Sequence, residues 1–142
     1  MNNEYVSRSI LNSSLQDSNN LTIHVDGMDV RIVVVLKGDW PAGKLDPTEY
    51  DDASQTIRVS SDYDYISDPT GWMRHEVQHH KLIVCNFRDD EYEYPYNAVE
   101  KQAYTEQFKY LRSKGVDNWL QLMPNKAQYV KILMKYWNDA GN

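Results

Sequence analysis

Cysteine is nearly missing from this chain: Cys85 stands alone among 142 residues. A single thiol closes no internal disulfide and builds no cysteine-ligated zinc knuckle. Any metal site must therefore come from histidine and carboxylate. Cys85 ends the apolar run Leu82-Ile83-Val84-Cys85 and reads as a buried, inert thiol. Long apolar runs are missing too. None approaches the roughly 18 residues of a membrane span, so no membrane partner is expected. Positive charge is in short supply, with 15 Lys and Arg against 21 Asp and Glu and a net charge of −6. Backbone binding to nucleic acid needs a basic surface, so nucleic acid is not an expected partner either. The opening stretch, Met1 to Asn20, is polar and rich in Asn and Ser. It lacks the basic-then-apolar order of a signal peptide, and the expected compartment is cytoplasmic.

What is present suits one globular domain, residues 1–142, with residues 1–20 as a polar arm that carries a short helix around Tyr5 to Leu15. Leu21 to Val25 alternates apolar and polar, as a half-buried strand does, and Asp26-Gly27 is a hairpin turn signal. Val30 to Leu36 is a nearly continuous β-branched run and reads as a central strand. Gly38 to Asp52 contains Pro41, Gly43 and Pro47 and reads as a loop. Gln55 to Ser61 alternates again, as a third strand. Asp68-Pro69 then announces a helix, Asp as N-cap and Pro at the first helical position, running to about Val84. A second helix opens at Asn97 and closes near Lys114 with Gly115 as its C-cap. A short helix near Asp117 to Leu122 precedes a last one over Asn125 to Trp137. Its stripe of Tyr129, Ile132, Leu133, Tyr136 and Trp137 reads as core. Strands first and helices after predict an α+β fold with a small antiparallel or mixed sheet.

The helix after Asp68 carries His75-Glu76-Val77-Gln78-His79, an H-E-x-x-H sequence. Two histidines four residues apart lie on one helical face about a turn apart and can reach one metal ion. The intervening glutamate stands where it can act on water at that metal. Trp72, His75, His79, Leu82 and Ile83 share a face, so the histidine pair points toward protein. His80 points about 100° away and reads as a packing or surface histidine.

A catalytic zinc ordinarily has three protein ligands and an open position. His24, on an early strand, is one candidate for the third. Glu100 is the stronger one, because helix geometry places it with Ala103, Tyr104, Gln107 and Leu111 on an inward face, where an unpaired carboxylate is costly. Asn97-Ala98-Val99-Glu100 also reads as a capping box, with Glu100 reaching back to the Asn97 amide. Both readings stay open at this level.

The chain resembles the zincin metallopeptidases of the gluzincin type, most of all the compact single-domain minigluzincins. That family sets a strand, then the H-E-x-x-H helix, then a glutamate helix with its ligand in an E-x-x-A setting. Gln55 to Ser61, His75 to His79 and Glu100-Lys101-Gln102-Ala103 stand in this order, over residues 55–114. The resemblance implies one zinc ion held by His75, His79 and Glu100, with Glu76 as catalytic base and a peptide or protein as substrate. The strand Gln55 to Ser61 is then expected to line the cleft as an edge to which an extended substrate adds. Larger gluzincins often carry Asp four residues after the ligand glutamate. Here Tyr104 stands there and is a candidate catalytic or supporting hydroxyl. Tyr63, Tyr65, Tyr92, Tyr94 and Tyr96 are further candidates for stabilising an oxyanion. Two other functions are compatible with the same motif: a zinc amidohydrolase acting on cell-wall peptides, and a catalytically silent zincin-like module that binds a partner through its 11 Tyr and 4 Trp.

Overall fold

A computed structural model describes residues 20–40, 46–60 and 69–142. The expected helix around Tyr5 to Leu15, the Asp68 cap, Tyr63 and Tyr65 lie outside them. The fold is α+β: one mixed four-stranded sheet and four α-helices among the described residues. Strands β1 (Asn20–Val25) and β2 (Met28–Val35) form an antiparallel hairpin. Asp26 and Gly27 turn the chain with φ of 51° and 79°, and a two-residue hairpin of this kind needs positive φ at both positions. β4 (Thr56–Ser60) runs parallel to β2, and β3 (Thr48–Asp51) pairs antiparallel with β4.

The sheet order is β1-β2-β4-β3, which corrects two sequence expectations. The segment 38–52, read as loop throughout, contains a strand. The strand read as the edge of the cleft, Gln55 to Ser61, is instead an inner one, and β3 is the edge. Four residues, Thr-Glu-Tyr-Asp, are too few to display an alternation against the turn signals Pro41, Gly43 and Pro47. Pro47 directly precedes β3, where its missing N–H costs no ladder bond.

Helix α1 (Pro69–Val84) lies across the sheet. Its Met73 and Val77 close a core with Val30, Ile32, Val34, Ile57 and Val59. Its Trp72 belongs to a second core built from α2 (Ala98–Ser113), α3 (Trp119–Leu122) and α4 (Val130–Ala140), around Tyr104, Phe108, Leu133 and Tyr136. One helix thus joins the two cores, and its intermediate face carries the H-E-x-x-H residues. α2 ends as its sequence expects: Gly115 takes a φ of 73°, its N–H donates to Arg112 O, and Val116 N–H donates to Leu111 O. The last helix begins later than expected. Residues Pro124–Tyr129 form a 3-10 helix, and the α-helix starts at Val130. Its Leu133, Tyr136 and Trp137 are buried against α2, as the stripe implies.

Cys85 corrects another expectation, because it is exposed. α1 stops at Val84 and Asn86 turns with a φ of 59°. The apolar run therefore spans a helix end, where Leu82 and Ile83 line the cleft and Val84 and Cys85 face outward. No described helix is long and apolar enough to cross a membrane.

Candidate metal centre

His75 and His79 project from consecutive turns of α1, and Glu100 from the first turn of α2. The helices pack so that Glu100 Oε1 lies 2.7 Å from His79 Nε2 and Glu100 Oε2 3.3 Å from His75 Nε2. The three ligand atoms fall within 4.8 Å of one another, so the group could hold a metal ion. His24 takes no part: it is exposed on β1 and bonds to Asp29. The capping question at Glu100 is settled by its side chain. Asn97 Oδ1 accepts from the Glu100 amide, as an N-cap does, but the Asn97 amide donates to Glu93 O. The Glu100 carboxylate turns to the histidines instead.

Hydrogen bonds orient the first histidine. His75 Nδ1 lies 3.0 Å from Gln107 Oε1, a carbonyl oxygen that only accepts. Nδ1 therefore carries a hydrogen, and Nε2 is the ring nitrogen turned toward Glu100. Nε2 and Glu100 Oε2 lie 3.3 Å apart, and buried Oε2 has no well-aligned hydrogen bond among the described residues. A cation between them satisfies both. The donor set, two imidazoles and one carboxylate, is one that zinc accepts. Aromatic rings box the imidazole in: Tyr104 packs edge-on at 4.4 Å between centroids and Trp72 lies at 5.4 Å.

Burial works to raise the Glu100 carboxyl, but the two imidazoles outweigh it and hold the group well below the usual carboxylate range. His79 moves the other way. Burial lowers it, and the Glu100 hydrogen bond and the carboxylates around it raise it overall. Glu76 is buried beside the triad, and burial raises its carboxyl against the pull of His75, His79 and the Thr48 hydroxyl. Thr48 Oγ1 donates to Glu76 Oε2 at 2.8 Å. From two residues along the same edge strand, Tyr50 stacks on His79 and its hydroxyl meets His80 Nδ1 at 2.8 Å. Buried His80 is thus a packing residue, as expected.

The site opens into a cleft of about 430 Å³ between β3, the C-terminal half of α1 and the segment leading into α2. Leu82, Ile83 and Phe87 form an apolar wall, and Asp52, Asp89 and Asp90 add carboxylates along the rim. The tyrosine candidates separate here. Tyr94 lines the cleft, whereas Tyr92 and Tyr96 are exposed elsewhere on its segment. Tyr104 is fully buried behind His75, with its hydroxyl against that of Tyr94.

Sequence reasoning brought together His75, Glu76, His79 and Glu100, and the structure sets the ligand atoms of His75, His79 and Glu100 within 4.8 Å of one another with Glu76 lining the same cleft. It did not find Thr48, Tyr50 or the role of Gln107. Gln107 left a trace, seven residues after Glu100 on the same helical face. Thr48 and Tyr50 left none, because their strand was read as loop. Comparison with known proteins finds no family model, no curated protein and no solved structure that matches the chain.

Proposed function

We propose that this protein is a zinc-dependent metallopeptidase of the zincin type, with His75, His79 and Glu100 as ligands and Glu76 as general base. The observation that carries this reading is the position of Glu76. A carboxyl with no ion-pair partner among the described residues is buried beside a three-ligand group at the floor of an open cleft. A purely structural metal site has no use for such a group, which weighs against a silent binding module.

Bound zinc would supply a Lewis acid that makes a water acidic and polarises a carbonyl. The residues of this chain do the rest. Gln107 fixes the His75 tautomer, and Tyr104 and Trp72 hold its ring plane. Glu76 accepts a proton from the attacking water and passes it to the leaving amine, and its buried setting suits a base that must also release the proton. β3 offers an edge on which an extended peptide can pair by backbone hydrogen bonds, and Leu82, Ile83 and Phe87 receive an apolar side chain.

The test is Glu76→Ala against a panel of unfolded proteins, peptides and cell-wall peptides. The expected outcome is zinc retained at wild-type level and hydrolysis reduced by at least about 1,000-fold, as loss of a general base dictates. Undiminished turnover in that variant contradicts the mechanism. Wild-type hydrolysis confined to the cell-wall peptides redirects the reading to an amidohydrolase.

A further inference from the structure

We infer that Thr48 is a positioning residue for Glu76. Its hydroxyl holds one carboxylate oxygen so that the other faces the metal centre, and the edge strand of the cleft is thereby tied to the base. The inference rests on the peptidase reading only for its kinetic consequence. The contact itself is independent of it.

Thr48 opens β3 and is 2% exposed. It stands 28 positions before Glu76 in the chain, and its Oγ1 donates to Glu76 Oε2 at 2.8 Å. A hydroxyl carries one hydrogen, and here it is given to the carboxylate. Among the described residues no other side chain hydrogen-bonds Glu76. Oε2, already accepting, is the poorer site for a second proton. Oε1 has no hydrogen bond from a described residue, and Glu76 lines the cleft. The proton-accepting oxygen is therefore set by Thr48.

The strand that holds the base is also the wall of the cleft. Thr48 and Tyr50 are two residues apart, so their side chains share one face of β3. Thr48 grips Glu76, and Tyr50 touches His79 and His80. Glu49, between them, reaches Arg58 of β4 at 2.6 Å, which fixes the strand against the sheet. A peptide pairing with this edge would seat on the backbone that carries the clamp. The residue governs the rate of the step that uses Glu76 rather than the binding of the peptide or the metal.

The test uses zinc-loaded full-length wild type, Thr48→Val and Thr48→Ser. Thr48→Val keeps the shape and removes the hydroxyl, and Thr48→Ser keeps the hydroxyl. The expected result for Thr48→Val is a kcat lower by about 10- to 100-fold, with KM and zinc content unchanged. Thr48→Ser is expected to restore most of the rate. A second measurement needs no activity: the melting temperature of Thr48→Val in the wild-type and Glu76→Ala backgrounds. The expected loss is about 5 °C when Glu76 is present and near zero when it is absent, because the hydroxyl then has no carboxylate to hold. A folded Thr48→Val protein with kcat within twofold of wild type overturns the inference. Equal melting losses in both backgrounds overturn it as well, and so does a Thr48→Ser variant as slow as Thr48→Val. A wild-type protein that cleaves no substrate but shows the background-dependent melting loss refutes the peptidase reading and upholds the Thr48–Glu76 clamp.

Discussion

The first histidine of the motif is held by a residue 32 positions away. Gln107 is fully buried, its Oε1 accepts from His75 Nδ1, and its Nε2 has no partner among the described residues. One end of the amide thus orients His75 and the other is a cost to the fold. Gln107→Leu separates the two. Zinc affinity by chelator competition is expected to fall about 10- to 100-fold, since His75 loses the acceptor that fixes its tautomer. The melting temperature of the metal-free protein is expected to change little, because an unsatisfied buried N–H leaves together with the useful oxygen. A variant with wild-type zinc affinity refutes the role given to Gln107. At this scale the sequence was legible where partners are near in the chain. His75, Glu76 and His79 lie within one helical stretch, and spacing alone sets their shared face. Glu100 was legible only as a choice between ligand and cap, and choosing needed the direction of its carboxylate. Thr48 was invisible, because nothing local to Thr48 or Glu76 signals a contact across 28 residues.

The elements were read well where a helix announces itself. α1 and α2 lie where the Pro69 start, the Asn97 cap and the Gly115 stop put them. Short β3 was missed, and with it the identity of the cleft edge, since four residues between prolines and an acidic turn give no period to read. The acidic run Asp89-Asp90-Glu91 after α1 is tied into the fold through its first residue. Asp89 accepts from the Ala98 amide at 2.7 Å and from the Glu91 amide at 3.0 Å, so it pins the segment between the two helices that carry His75, His79 and Glu100 to the start of α2. The Ala98 hydrogen bond, followed by that of Glu91, holds its carboxyl below its ordinary value of 3.8. A lowered folded value means that the anion's contribution is complete above the unfolded pKa and is lost as pH falls through the folded one. Wild type is therefore expected to melt above Asp89→Ala from pH 5 to 7, with the gap narrowing below about pH 3.8. Thermal melts of both proteins across that range check it, and a gap that is constant with pH excludes the charge as its source.

At the scale of the whole molecule, α1 belongs to both cores, and the site sits where the sheet layer and the helical layer meet. The class was legible from strands preceding helices. The sheet order β1-β2-β4-β3 was not, since pairing of non-consecutive strands leaves no mark in the chain. A metal held by α1 and α2 together binds only the folded protein and therefore stabilises the molecule. Removing it with a chelator is expected to lower the melting temperature by on the order of 10 °C, reversed by zinc and not by magnesium. An unchanged melt after complete chelation shows that the histidine–glutamate contacts alone hold the helices together.

The central claim is that His75, His79 and Glu100 form one zinc site, and zinc per chain tests it most directly. The measurement is elemental analysis of purified wild type and Glu100→Ala, each with circular dichroism to establish folding. The expected result is about one zinc per wild-type chain and far less in a folded Glu100→Ala protein. Wild type that holds no zinc after supplementation, or a Glu100→Ala protein that holds as much as wild type, contradicts the claim.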